Sequence, residues 1–191
     1  MKLIIYISLA VSLSFMQAVS IAAELDQVFV LEEFARTQND PDHSVTFEVD
    51  APPDVVFRFL TDRVHDYAND ATAVEFDHRN SLTPDNLDSG SVRITTMKSN
   101  EQLVQRFIHY NPSTSYAYFT DMEASSVDVP LQYSIAYYQL TSIANEKTRL
   151  KISVVYKSSS RWLSYFVSRA FNSALENDFE AAVELIETEY R

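Results

Sequence analysis

Residues 43–62, HSVTFEVDAPPDVVFRFLTD, contain a strand pattern followed directly by a helix pattern. Apolar and polar residues alternate through 45–49, which predicts a half-buried strand. Pro52-Pro53 ends that strand, and proline is well tolerated in the first turn of a helix. Asp54 complements the positive end of the helix dipole. We therefore expect a helix over 53–60.

Further helix and strand patterns lie on both sides of this stretch. Upstream, apolar residues recur at helical spacing through 25–37 and predict a short leading helix. Residues 160–190 carry an apolar stripe of period 3.6, which predicts one long amphipathic helix. Short loops between alternating segments are typical of antiparallel hairpins. A short helix at 63–69 is expected, then strands at 74–79, 91–98, 101–110, 115–122, 132–142 and 147–157.

The order of these elements resembles the START-like superfamily, also called SRPBCC. Two stretches carry the resemblance: residues 43–62 and the hairpin sequence SGSVRITTMKSNEQLVQRFIHYNPSTSYAY at 89–118. The similarity is closest to the polyketide cyclase/dehydrase-like branch and covers residues 44–190. In that branch a glutamate often stands at the position of Gln105, and a glycine often stands in the turn that Ser99-Asn100 occupies here.

The resemblance implies an α+β helix-grip fold. In this fold a curved antiparallel sheet of about seven strands wraps around a long C-terminal helix, and two short helices follow strand one. The sheet and the helix enclose an apolar cavity. Members of the superfamily bind lipids, sterols, aromatic polyketides or plant hormones, and a minority catalyse reactions. The fold alone does not choose among these functions.

Residues 1–23 have the pattern of a cleavable export signal. Lys2 supplies a positive charge, residues 3–15 form an uncharged apolar run, and Ser20-Ile21-Ala22-Ala23 offers small residues to a signal peptidase. An uncleaved anchor is the alternative, but the run is shorter than the ~20 apolar residues that span a bilayer. We expect a signal peptide at 1–23, a helical lead segment at 24–43 and a START-like helix-grip domain at 44–191.

Composition excludes several classes of function. The chain has no cysteine, which excludes disulfides and thiolate catalysis, and export without disulfides fits a bacterial periplasmic or secreted protein. A single glycine, Gly90, excludes glycine-rich phosphate loops. The net charge of −12 argues against nucleic acids and anionic membranes as partners. The four histidines lack metal-binding spacing, so we expect neither a metal nor a cofactor.

The strand registers predict which side chains face the cavity. If Ser99-Asn100 is a two-residue turn, Arg93 and Arg106 lie side by side on one face of the hairpin. Two adjacent arginines repel each other in a dry interior, so that face is expected to be the solvated one. The cavity face would then hold Val92, Ile94, Thr96, Leu103, Gln105 and Phe107.

When the strand register is counted across the later loops in the same way, it predicts an inner face that is mostly apolar with a few polar groups, as in ligand pockets. Its further strand residues are His109, Tyr116, Tyr118, Thr120, Met122, Ile135, Tyr137, Gln139, Thr141, Leu150, Ile152, Val154 and Tyr156. On the facing helix, small alanines would leave room beside phenylalanines. The predicted ligand-binding residues are Gln105, Phe107, His109, Tyr116, Tyr118, Tyr137, Gln139, Tyr156, Phe166, Ala170, Phe171 and Ala174.

These observations favour an exported binding or carrier protein for a hydrophobic small molecule, such as a lipid, a sterol-like compound or an aromatic metabolite. No membrane span would remain after signal cleavage. Two alternatives stay open. One is a cyclase- or isomerase-type enzyme acting on an aromatic polyketide, for which His109 or an inner tyrosine would be the acid or base. The other is a periplasmic protein-interaction module, suggested by the extra helix at 25–37.

Overall fold

The computed structural model describes residues 27–68, 70–160 and 164–191, except for the side chains of residues 164–167, 170–172 and 174. The export signal predicted at 1–23 lies outside these residues. The described chain has the predicted α+β class. Its elements are α1 (Gln27–Asn39), β1 (His43–Val49), α2 (Pro53–Asp62), α3 (Val64–Tyr67), β2 (Ala71–Asp77), β3 (Val92–Met97), β4 (Gln102–Asn111), β5 (Ser115–Asp121), β6 (Leu131–Ala144), β7 (Lys147–Ser158) and α4 (Ser164–Tyr190).

The seven described strands form one sheet in the order β1-β7-β6-β5-β4-β3-β2, and every neighbouring pair is antiparallel. Strands β2 to β7 follow one another as hairpin neighbours, whereas β1 joins the far edge by pairing with β7. Helices α2 and α3 connect the two edges. Helix α4 contacts β1, α2 and α3. This arrangement is the helix-grip fold that the sequence predicted.

The inner face of the sheet packs against α2, α3 and α4. Pro53 lies in the first turn of α2, and the helix ends at Asp62, as proline tolerance and the apolar pattern imply. The main core is formed by side chains that are almost completely buried. They include Val49, Val56, Phe57, Leu60, Phe107, Tyr116, Tyr138, Leu150, Ile152, Val154, Ala182 and Ile186.

The outer face of the sheet is covered by α1, which makes a second, smaller core. Val30 is buried there, and Phe29 and Phe34 pack beside it. The opposing residues on the sheet are Ile108, Phe119, Tyr133, Ile135 and Val155. Both faces of the central strands are therefore apolar. None of the described helices combines the length and apolar character needed to cross a bilayer.

The β3–β4 hairpin differs from the predicted register by one residue. Thr96 pairs with Gln102, so the connection spans 97–101 rather than a two-residue turn. This shift places Arg93 directly opposite Gln105, on the inner face, and Arg93 is only 2% exposed. The prediction that Arg93 and Arg106 share the solvated face is therefore wrong. A one-residue slip exchanges the two faces of a strand because side chains alternate with a period of two.

Two β-bulges cause the remaining differences in register. One lies between Phe107 and His109, and it turns His109 to the outer face while Tyr110 pairs with Tyr116. The other lies between Ser142 and Ala144 in β6. A bulge adds one residue to one strand, so the residues beyond it change face. As a result the outer face, not the inner one, holds Ile135, Tyr137, Gln139 and Thr141.

Candidate ligand cavity

A cavity of about 560 Å³ lies between the inner face of the sheet, α3 and α4. Most of its wall is aliphatic or aromatic, and the polar groups come mainly from the central strands. The wall is formed by Val64, Tyr67, Ala68, Ala71, Arg93, Thr95, Met97, Leu103, Gln105, Tyr118, Thr120, Met122, Val127, Val129, Pro130, Leu131, Ser134, Ala136, Tyr138, Val154, Leu175, Asp178 and Phe179. A small molecule that enters it would be surrounded on several sides.

Arg93 is the most unusual residue of this wall. Its Nε and Nη2 atoms both donate hydrogen bonds to Oε1 of Gln105, at 3.0 and 2.7 Å. Its guanidinium carbon lies 4.8 Å from the ring centroid of Tyr118 and 5.7 Å from that of Phe107. These distances allow cation–π attraction. Within the described residues, its Nη1 atom has no hydrogen-bond partner and the side chain makes no ion pair.

Two tyrosines form a second polar feature in the same wall. The hydroxyl groups of Tyr118 and Tyr138 are 2.9 Å apart and share a hydrogen bond. Burial raises the pKa of Tyr138 well above its usual value. The pKa of Tyr67 is also raised by burial, and its hydroxyl donates to the carbonyl of Leu60 at 3.1 Å. These two phenols therefore stay protonated at neutral pH and act as hydrogen-bonding groups.

Several predicted ligand-binding residues occupy the inner face. Gln105 and Tyr118 line the cavity. Phe107 and Tyr116 are buried in the core on the same side of the sheet. Tyr156 also faces inward at the end of β7, where its ring stacks on His43 with a centroid distance of 5.7 Å, but it is not part of the cavity wall.

His109, Tyr137 and Gln139 lie on the outer face, away from the cavity, so their predicted position is wrong. The Nε2 atom of His109 is 2.8 Å from the hydroxyl oxygen of Ser115. Its ring stacks on Phe34 of α1 with a centroid distance of 5.6 Å. Burial lowers the pKa of His109. This histidine belongs to the small outer core and cannot reach a molecule in the cavity.

Four predicted residues lie on α4, whose backbone is described while their side chains are not: Phe166, Ala170, Phe171 and Ala174. Helix α4 does contribute Leu175, Asp178 and Phe179 to the wall. The expected cavity between sheet and C-terminal helix is therefore present. In the described ranges, no three histidine or acidic side chains lie close enough together to hold a metal ion.

Sequence reasoning missed Arg93, Thr95 and Tyr138 as cavity residues. Arg93 and Thr95 follow the two-residue alternation of β3, and Tyr138 follows that of β6. The alternation itself was visible in the sequence. The sequence did not show which alternate residues of β3 and β6 face the cavity. That choice depends on one extra residue in the β3–β4 connection and on one bulge in β6.

The family of the chain follows from its sequence as well as its fold. The model of the family described as "Polyketide cyclase / dehydrase and lipid transport" matches residues 41–190. The chain belongs to this family. Membership and the cavity together support a ligand-binding protein of the SRPBCC type. No curated protein shows significant similarity to the chain.

Solved structures share the fold of this family member. The protein XoxI from Bacillus cereus superposes with a TM-score of 0.61 at 10% identity, over 78% of this chain and 97% of its own. Ara h 8.0201 gives a TM-score of 0.57 at 14% identity, over 76% and 98%. The di-domain ARO/CYC protein BexL gives 0.59 at 13% identity, over 76% of this chain and 46% of its own. At these identities the likeness shows the fold alone.

Proposed function

We propose that this protein is an exported carrier that holds a hydrophobic small molecule, such as a lipid, a sterol-like compound or an aromatic metabolite. The observation that carries the proposal is the cavity of about 560 Å³ with mostly apolar walls. Pockets for small molecules have volumes of about 300–1,000 Å³ and combine apolar walls with a few polar groups. The family description, which includes lipid transport, supports the same reading.

Export is the second part of the proposal, and it rests on the sequence of residues 1–23. A periplasmic or secreted location suits a carrier because apolar molecules need a binding protein to cross an aqueous space. N-terminal sequencing of the protein recovered from the periplasm or medium of an expressing bacterium would test it. A chain that begins near Glu24 is expected, and a full-length chain retained in the cytoplasm would contradict export.

Ligand binding can be tested by filling the cavity. Ala136 is 4% exposed and lines the cavity, so a phenylalanine there would occupy part of its volume. Lipid extraction and native mass spectrometry of the wild-type protein are expected to show a bound apolar molecule, and Ala136→Phe should reduce its amount. Ala73→Phe, at an exposed position of β2 outside the cavity, is the matched control. Wild-type protein that carries and binds no apolar molecule would contradict the proposal.

The enzyme alternative cannot use His109 as its acid or base, because this histidine lies on the outer face. In the described wall, Asp178 and the tyrosines Tyr67, Tyr118 and Tyr138 are the remaining groups that could transfer a proton. The raised pKa values of Tyr67 and Tyr138 make these two poor bases at neutral pH. We therefore favour carriage. Turnover of an aromatic polyketide that Tyr138→Phe abolishes, with binding kept, would favour a cyclase.

The interaction-module alternative depended on the leading helix. In the structure α1 packs its aromatic residues onto the protein's own sheet, where Phe29 meets Tyr133 edge-on with a centroid distance of 5.0 Å. This packing gives α1 a structural role. The alternative would be supported by a protein partner that is recovered in a pull-down with the full chain and is lost on deletion of residues 24–38, provided that the remaining domain is still folded.

A further inference from the structure

We propose that the cavity selects amphipathic carboxylates, with the apolar body of the ligand among the aliphatic and aromatic walls and its carboxylate bound to Arg93. This inference rests on the proposed carrier function and names the chemical class of its ligand. It follows from the burial of Arg93, from its hydrogen bonds and from its neighbours in the wall.

Arg93 places a positive charge in the wall of the cavity. An arginine side chain stays protonated in proteins, and this one is 2% exposed. Buried charges are normally paired, because removing an ion from water is costly. Among the described residues Arg93 makes no ion pair, and Gln105 gives it only a neutral acceptor. The cation is thus held in the wall without an ion-pair partner among the described residues.

The guanidinium of Arg93 has more hydrogen-bond donors than Gln105 accepts from. A guanidinium group has five N–H donors, and Gln105 accepts from the Nε and Nη2 atoms. The Nη1 atom is buried and has no partner among the described residues. The edge formed by Nη1 and Nη2 therefore remains for a ligand. A carboxylate fits such an edge because its two oxygens can accept two parallel hydrogen bonds.

Thr95 adds a hydroxyl group to the same strand of the wall. It lies two residues after Arg93 on β3, so both side chains are on the cavity face. Its Oγ1 atom is also buried without a partner in the described part of the chain. A hydroxyl beside the guanidinium can donate to the same carboxylate. Two polar groups without partners among the described residues thus belong to alternate positions of β3 on the cavity face.

The neighbouring rings complete this site. Tyr118 and Phe107 lie near the guanidinium, and they stabilise the cation by cation–π attraction without neutralising it. The wall also contains one described carboxylate, that of Asp178 on α4. The described hydrogen bonds of the guanidinium go to Gln105, which leaves its other donors to the carboxylate of a ligand.

The test compares two probes with the same alkyl chain, dodecanoate and 1-dodecanol, by isothermal titration calorimetry on delipidated protein. A charge-assisted hydrogen bond predicts that wild type binds dodecanoate roughly 10- to 100-fold more tightly. In Arg93→Met this preference is expected to disappear. In Gln105→Glu it should also disappear, because the new carboxylate neutralises Arg93 within the wall. Arg79→Met removes an exposed positive charge outside the cavity and should keep the preference.

The outcomes separate this inference from the carrier function. Equal binding of both probes by wild type would overturn carboxylate selection and leave the carrier function standing. Failure to bind either probe, or any other apolar compound, would overturn both. A preference that persists in the folded Arg93→Met and Gln105→Glu proteins would show that another group binds the carboxylate, and it would overturn the role of Arg93.

Discussion

Arg93 and Gln105 face each other across β3 and β4, and the guanidinium donates two hydrogen bonds to the single atom Oε1 of Gln105. The amide holds the arginine in one position but does not neutralise it. An acidic side chain at position 105 would have done both. The pair therefore fixes the location of a positive charge and leaves the charge itself for a bound molecule.

The first prediction concerns the stability of this pair in the empty protein. Gln105→Leu is expected to lower the free energy of unfolding by about 2 kcal/mol or more, because it leaves the buried guanidinium without an acceptor. Arg93→Met is expected to cost less, about 1 kcal/mol, because the group that it leaves unpaired is the neutral amide of Gln105 rather than a buried charge. Urea denaturation of delipidated protein measures both values.

The double variant, with both Arg93→Met and Gln105→Leu, is the control for the difference in stability between the two single variants. If the cost of Gln105→Leu comes from the unsatisfied arginine, removal of Arg93 as well should recover most of it. A double variant as unstable as Gln105→Leu alone would show instead that the glutamine contributes through its own packing. In that case the unpaired charge would not be the source of the effect.

The second prediction concerns Gly90, which begins the segment that leads into β3. Its φ angle is +92°, and a Cβ atom placed on it would lie 1.9 Å from the carbonyl oxygen of Asn80. Gly90→Ala is therefore expected to lower the free energy of unfolding by at least ~2 kcal/mol. Leu82→Ala, at a 78% exposed position of the same loop, should cost less than about 0.5 kcal/mol. Equal stabilities of the two variants would contradict this explanation.

The fold could be predicted from the sequence because its signals are local. The strand in 43–62 is followed by proline, the later strands are separated by short turns, and the final helix has a continuous apolar stripe. Each of these patterns needs only neighbouring residues to be interpreted. The element order and the antiparallel pairing were therefore predictable, and the cavity beneath α4 was implied by the resemblance to the START-like superfamily.

The faces of the strands were less predictable, because both faces are covered. Alternation distinguishes inside from outside when one face is solvated, but α1 makes the outer face of β5 and β6 apolar as well. Ile135 on the outer face and Ala136 on the inner face are both almost completely buried. A single bulge then exchanges the inward-facing and the outward-facing residues of a strand, with no change in the apolar character of either face. His109 was assigned to the wrong face for this reason, whereas Arg93 was misplaced because the β3–β4 connection is not a two-residue turn.

The third prediction tests whether α1 is part of the fold. Phe34 contacts Tyr137 edge-on with a centroid distance of 5.1 Å and stacks on His109. Phe34→Ala is expected to lower the free energy of unfolding by about 2 kcal/mol, because it removes a largely apolar contact from the outer core. Leu31→Ala on the same helix is the matched control. Leu31 is 65% exposed, so its loss should cost less than about 0.5 kcal/mol.

The last prediction uses the titration of His109. Burial lowers its pKa in the folded protein from the ordinary 6.5, so the unfolded chain binds a proton more readily than the folded one. The contribution of this histidine to stability is therefore complete above about pH 6.5 and is lost as the pH falls toward its pKa in the folded protein.

His109→Gln should lose less stability than wild type between about pH 7 and pH 5, as measured by urea denaturation at each pH. If His109→Gln follows the wild-type curve, proton uptake by His109 does not contribute to acid destabilisation.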